Sequence, residues 1–323
     1  MSKGISATIP FLLASMAIRG QPAIAEDYPL RPMTVFGTTP AGTSVDLTTR
    51  FFGERIKAAT GQPWVVENKP GAGGAIAAKA AATSRPDGYT MIVGSSGSQA
   101  ADKFLFKDLP YDPVKDFVPV ARMFRLDFVL AVNPEKIPVN SVAELTAFLK
   151  AKKGRVSFGY FSASMQALAE QYKHMIGIEA SPAAYRNPAQ MMNELEAGDY
   201  DFSFTSAEYA LKPSPRFRAL AIASEKRSRL LPDLPTMPEA GVANFLPLYS
   251  WFGIFMPVGV PDVAVRTIGS AVTEIAQREE TRTFLKTFAG EPYPGSPEQL
   301  AALQQETIAH WAYFVKLAKI DAQ

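Results

Sequence analysis

Cysteine is absent from the 323 residues. That removes disulfides, thiolate metal sites and a cysteine nucleophile together. Histidine is scarce: only His174 and His310 occur. They stand far apart within helical patterns and lack metal-ligand spacing, so they read as surface or core-edge side chains. No GxSxG or HExxH pattern occurs, and no P-loop. No catalytic residue, metal or cofactor is expected. Net charge is only +2, which gives no basic field for nucleic acid. Beyond the N-terminus, no stretch is long and apolar enough to cross a bilayer.

What is present begins with an export pattern. Lys3 supplies a positive n-region, Ile9 to Ile18 an apolar run, and Ala23-Ile24-Ala25 a small-x-small site before Glu26. Residues 1–25 are therefore expected to be a signal peptide cut after Ala25, which places the mature chain in the periplasm. Arg19, after the apolar run, does not fit the pattern neatly. The alternative is an ordinary N-terminal helix, which Pro10 and Pro22 oppose.

The length suits two lobes. Apolar residues at 47% and charged residues at 20% fit a globular chain. Strands are expected at 33–36, 64–68, 89–93, 128–132, 156–161, 200–204, 219–223 and 252–255, with helices between many of them. This rhythm predicts an α/β, doubly wound fold with two lobes and hinge-crossing strands. Residues 26–129 and 253–323 are assigned to a discontinuous first lobe, and 130–252 to the second. Ser141-Val142-Ala143-Glu144 has the spacing of a capping box.

Three loops each lead into a helix start: Pro40 to Asp46, Pro70 to Gly74, and Phe161 to Ser164. Orphan backbone N–H groups and the helix dipole favour an anion there, and a carboxylate fits without any arginine. Gly42, Gly73, Gly74 and Ala163 let a ligand approach the backbone. The ligand-contacting residues expected are Thr39, Ala41, Thr43, Ser44, Asp46, Ser95 and Ser96 from the first lobe. The second lobe is expected to give Ser162, Ala163, Ser164, Tyr185 and Thr205. Asp46 either reciprocates Thr43 in a cap or faces the cleft. Gly71-Ala72-Gly73-Gly74 lacks the spacing of a nucleotide fingerprint.

Several motifs, in one order, resemble a known family. Ala41-Gly42-Thr43-Ser44-Val45-Asp46 with Arg50 stands where that family has GGxxD and then arginine. Val66 to Gly74 matches VENxPGAGG, Pro86 to Thr90 matches PDGYT, Tyr111 to Phe117 matches YDPxKDF, and Pro235 to Gly241 matches PTxxEAG. Trp251, Gly253 and Pro257 match a late segment. The chain resembles the substrate-binding proteins of tripartite tricarboxylate transporters, the Bug family, over about residues 27 to 320. The resemblance implies a periplasmic-binding fold of the Venus flytrap kind, similar to type II, and a carboxylate held by amides, hydroxyls and water. It also implies a membrane partner with a large and a small integral subunit.

The sequence departs from the pattern in the second lobe. Gly159 to Ala167 replaces two family glycines and a histidine, and Ala184-Tyr185-Arg186-Asn187 stands for PYKG. Phe161 either narrows the cleft or turns into the core. The expectation is a monomeric receptor delivering a small carboxylate to such a transporter. The alternative is a sensor presenting its closed form to a membrane signalling protein. A cleft enzyme lacks candidate groups, and a cytosolic regulator lacks a helix-turn-helix.

Overall fold

The computed structural model describes residues 28–152, 155–185, 188–212 and 214–320, with 1 and 322. The expected signal peptide and cleavage site, and the positions Arg186 and Asn187, lie outside the described residues. No described helix is long and apolar enough to cross a membrane.

The chain runs β1 (Met33–Gly37), α1 (Ser44–Thr60), β2 (Trp64–Asn68), α2 (Ala75–Ala82), β3 (Thr90–Ser95), α3 (Asp102–Leu105) and β4 (Phe117–Leu126). It continues through β5 (Phe128–Val132), α4 (Val142–Ala151), β6 (Val156–Tyr160), α5 (Ala163–Ile176), β7 (Ala180–Ala184), α6 (Pro188–Ala197), β8 (Phe202–Ser206) and β9 (Arg218–Ile222). It closes with β10 (Ser250–Pro257), α7 (Asp262–Gln277), α8 (Glu279–Lys286), β11 (Gly290–Gly295) and α9 (Pro297–Ala318).

Capping residues set the helix limits. Thr43 opens α1 by accepting the Asp46 N–H at 3.3 Å, and Gly61, at φ 72°, closes it through the Lys57 carbonyl. Ser162 and Gly177 do the same for α5. Ser296 and Gln299 form a full capping box before α9. The box expected at Ser141 forms only in part. Ser141 accepts from the Glu144 N–H at 3.1 Å, but the Glu144 carboxylate takes the N–H of Asn140, one residue upstream.

Two sheets result, in the orders β11-β4-β10-β3-β1-β2 and β7-β6-β8-β5-β9. In the first, β1 pairs parallel with β2 and β3, while β10 is antiparallel to β3 and β4. In the second, β6 is parallel to β7 and β8, and β5 is antiparallel to β8 and β9. Interior strands are apolar on both faces: every residue of β5 is buried. This is the α/β doubly wound architecture expected.

Three strands escape the sequence reading, and proline accounts for each. β7 carries Pro182 and β11 carries Pro292 and Pro294, but both are edge strands, where a missing N–H is tolerated. β4 carries Pro119. That residue faces Phe255 of β10 beside a register irregularity, and β11 pairs only with β4 from Arg122 onward. At Pro119 the strand therefore has an open side.

The chain changes sheet at Asp127 and again between β9 and β10. The first sheet thus ends at Leu126 and is rejoined at Ser250. A partly buried ionic cluster sits at the first change. Arg125, 11% exposed, lies 3.6 Å from Asp127, 3.5 Å from Glu225 and 3.5 Å from Glu291. Its guanidinium also stands over the rings of Tyr249 and Tyr293, at 5.1 and 5.6 Å. Burial pushes the Asp127 carboxyl up to about 6; Arg125 opposes the shift, and Glu291 and Glu225 add to it.

Gly159 tests the packing of the second sheet. A Cβ there would fall 2.3 Å from the Tyr200 ring, whose hydroxyl donates to the Met191 carbonyl at 2.7 Å. Gly159→Ala is expected to cost about 1–3 kcal/mol, read as a lower denaturation midpoint with an unchanged slope. An unaltered midpoint would show that Tyr200 moves freely.

Candidate functional site between the sheet ends

Strand order locates the site. From β1 the chain moves one way to β2 and the other way to β3, so the first sheet reverses between β1 and β3. The second sheet reverses between β6 and β8. Open α/β sheets bind ligands beyond the carboxyl ends of strands at such points. Pairing registers bring the two points together. Ser95, ending β3, pairs with Phe252 near the start of β10, and Ser250 pairs with Leu126. Ser206, ending β8, pairs with Phe128, and the Ala207 N–H donates to the Asp127 carbonyl at 3.0 Å. Both strand ends therefore reach the segment Leu126–Phe128.

The loop after β1 is built on Asp46. Its Oδ2 accepts the Gly42 N–H at 2.8 Å, and its Oδ1 accepts from Arg50 Nε at 3.0 Å and Asn68 Nδ2 at 2.9 Å. Asn68 Nδ2 also reaches the Thr39 carbonyl at 3.0 Å, and Arg50 Nη2 donates to Asn68 Oδ1 at 2.9 Å. Burial opposes ionisation of Asp46, but these donors outweigh it and hold the carboxyl below its ordinary value. Asp46 is 3% exposed and spends its carboxylate on holding the loop. Its partner is the Gly42 N–H, so the box with Thr43 is displaced by one residue. Thr39 and Thr43 share a hydroxyl contact of 2.8 Å. Ala41 is exposed and Ser44 half-buried.

The loop after β2 passes close to its neighbours. Gly71, Ala72, Gly73 and Gly74 all have positive φ. A Cβ on Gly74 would press Thr38 and Ser98 at 3.2 Å, and one on Gly73 would meet Asp102 Oδ1 at 2.9 Å. Glycine is needed at both positions for the turn and for the approach. After β3, Ser95 N–H donates to Ser98 Oγ at 3.1 Å, and Ser98 N–H to Ser95 Oγ at 3.2 Å. Ser95 is half-buried. Ser96 is 4% exposed and spends its N–H on the Trp251 carbonyl. Below them, Tyr111 donates its hydroxyl hydrogen toward the Ser98 carbonyl at 2.6 Å, with Asp102 Oδ2 at 3.1 Å. Burial pushes Asp102 up to about 7, against a smaller lowering by the Tyr111 hydrogen bond. Sequence patterns gave no sign of Asp102, because its role depends on Gly73 and Tyr111, which only folding brings near.

In the second lobe, Phe161, Ser162, Ala163 and Ser164 are half-buried at the start of α5. Ser162 Oγ caps the Met165 N–H at 3.4 Å. Phe161 packs partly against the second lobe's apolar core, which favours the inward reading of that side chain. Tyr185 follows β7. Its N–H donates to the Tyr160 carbonyl at 2.8 Å, and its ring lies 5.6 Å from that of Tyr200. Thr205 does not join the site. It is wholly buried, with Oγ1 3.3 Å from Met192 Sδ. Both faces of β8 are covered from Phe202 to Thr205, and half-buried Ser206 is the terminal residue of that strand.

The arrangement combines backbone donors, hydroxyls and two helix starts. Arg50, the basic residue nearest these loops in the hydrogen-bond network, is engaged with Asp46 and Asn68. His174 lies in the last turn of α5, at the end away from Ser162. No metal-competent group of His, Asp and Glu occurs among the described residues. Two clefts of about 720 and 690 Å³ lie elsewhere, and no residue of these loops lines either.

Such a molecule is a two-lobed α/β binding protein, with its candidate site where two sheets present their strand ends. The family model "Tripartite tricarboxylate transporter family receptor" matches residues 48–320, and the chain belongs to that family. It is 30% identical to the protein BugT of Bordetella pertussis over 96% of each chain. The structure described as "R. palustris Rpa4515 with adipate" is 29% identical at a TM-score of 0.79, covering 92% of this chain and 100% of that one. MatC (Rpa3494) from Rhodopseudomonas palustris with bound malate is 28% identical at a TM-score of 0.73, covering 89% and 100%.

Two substitutions test the first-lobe loops. Asp46→Ala strands the Gly42 N–H and the Asn68 amide, and is expected to cost about 2–4 kcal/mol in denaturant titrations at pH 7. The stabilising part due to ionised Asp46 is present above the ordinary carboxyl value and lost as pH falls through its lowered native value. Asp102 has the opposite sign. Its native value is raised, so its contribution is present below the ordinary carboxyl range and lost as pH rises through about 7. The melting temperature of Asp102→Asn, relative to the unaltered chain, should therefore be higher at pH 8 than at pH 5. An equal offset at both pH values would refute this account.

Proposed function

We propose that this chain is a periplasmic receptor that captures a small carboxylate between its lobes and hands it to a tripartite tricarboxylate-type membrane transporter. The observation that carries the reading is the approach of two sheet reversals to Leu126–Phe128, each with hydroxyl side chains beside a helix start. A carboxylate is suited to such donors. Family membership and two similar structures, one with adipate and one with bound malate, support the same chemistry.

Thr39, Ala41, Thr43, Ser44 and Ser95 are assigned to the first-lobe surface. Ser162, Ala163, Ser164, Tyr185 and, in place of Thr205, Ser206 form the second. Asp46 and Ser96 hold the loops from behind. The lobes meet where the sheets change, at Asp127 and in the segment 223–249. A ligand that touches both surfaces favours the closed arrangement by its differential affinity, and the closed surface is what a membrane partner reads. The site takes up the ligand and releases it unchanged. The N-terminal export pattern and the family support a periplasmic location.

Thermal-shift titration with malate, adipate and longer or aromatic dicarboxylates is expected to raise the melting temperature for at least one of them. Adding Thr43→Val and Ser162→Ala together should weaken that ligand about tenfold or more, since each removes a hydroxyl from a different lobe. Silence across the series, with the protein shown to be folded and free of co-purified ligand, would count against the carboxylate reading.

A further inference from the structure

The 690 Å³ cleft lies behind the ionic cluster at Arg125, with one wall from each side of the sheet change. One wall is the segment 226–230, which follows β9 of the second sheet. The other is built from the end of α7, from α8 and from β11. Six cations line it: Arg125, Lys226, Arg227, Arg229, Arg282 and Lys286. Only two carboxylates, Glu279 and Glu291, stand against them.

Three of the six are already compensated. Arg125 is held by Asp127, Glu225 and Glu291. Arg227 pairs with Glu239 at 2.9 Å, and Arg282 with Glu279 at 3.1 Å. Among the described residues, no carboxylate lies within ion-pair distance of Lys226, Arg229 or Lys286. The wall is nevertheless fixed in place. Glu291 Oε1 accepts from Ser228 Oγ at 2.8 Å and from the Arg229 N–H at 3.0 Å, pinning the segment 228–229 to β11. A concavity that gathers uncompensated cations concentrates positive potential. Its volume is that of a small-molecule site. A guanidinium with two ammonium groups suits the several oxygens of a phosphate better than one carboxylate.

We propose that this cleft is a second anion site, distinct from the interlobe site, that binds an anionic phosphate group. Such a group comes either free in solution, as in pyrophosphate, or as the headgroup of an anionic phospholipid. Because its walls come from both sides of the sheet change, an occupant bridges them. The inference does not rest on the carboxylate reading.

The test uses the full secreted chain. Calorimetric titration with sodium pyrophosphate is run in parallel with flotation on vesicles of phosphatidylglycerol with phosphatidylcholine, and of phosphatidylcholine alone. The comparison variant carries Lys226→Gln, Arg229→Gln and Lys286→Gln. Lys226, Arg229 and Lys286 are exposed side chains, so the fold should persist, and an unchanged melting temperature checks this. Pyrophosphate binding that weakens at least tenfold in the variant, and falls with added salt, supports a free phosphate. Capture by the anionic vesicles alone, lost in the variant and displaced by pyrophosphate, supports the headgroup. The proposal is overturned if neither probe binds, if the variant binds as well as the unaltered chain, or if the uncharged vesicles capture it equally. If the variant unfolds, the salt dependence and displacement measured on the unaltered chain decide the matter. Any carboxylate found by thermal shift should bind the variant unchanged, which separates this result from failure of the interlobe site.

Discussion

The buried guanidinium of Arg125 holds the place on which the rest of the structure depends. Three parts of the chain meet there: the β4–β5 junction, the segment leaving β9, and β11. Each contributes a carboxylate, and two tyrosine rings cover the cation. Removing a charge from water is costly unless it is paired, so this residue constrains where the three segments stand. Asp127 shares that constraint. Its Oδ1 has no hydrogen-bond partner, and Arg125 stands at ion-pair distance instead of hydrogen-bond distance. Strands β3 and β8, one beside each sheet reversal, end near this junction.

The first-lobe loops repeat the pattern at smaller scale. Asp46 is one buried carboxylate that satisfies a loop N–H, an arginine and an asparagine. The loop therefore keeps its shape, and hydroxyls and N–H groups on its outer side remain for other partners. Polar groups that support a site and polar groups that contact a ligand are separate here. Asp46, Asn68, Asp102 and Tyr111 are of the first kind, and Thr39, Ser44 and Ser95 are proposed for the second.

Much of this was legible in the chain. Helix α1 carries its own end signals, because Thr43 and Gly61 act through the backbone next to them. The order of β1, β2 and β3 followed from apolar runs between glycine turns. The loop Phe161 to Ser164 was likewise readable as leading into a helix start, which falls at Ala163. Strands β4, β7 and β11 were not, because proline argues against a strand until one knows that the strand lies at an edge. The burial of Thr205 was not readable either: β8 is covered on both faces up to Thr205, and only its last residue, Ser206, is partly open.

The sequence by itself determined the local units and the kind of chemistry. It set strand-turn-helix repeats, capped helix starts, and an inventory without cysteine or paired histidines that left binding more plausible than catalysis. These follow from contacts within a few residues. Only the tertiary structure decided that two reversals face one junction, that Asp46 points inward, and that Arg125 gathers Asp127, Glu225 and Glu291. Those partners are separated by up to 166 residues, and no local rule of propensity or spacing encodes such a meeting.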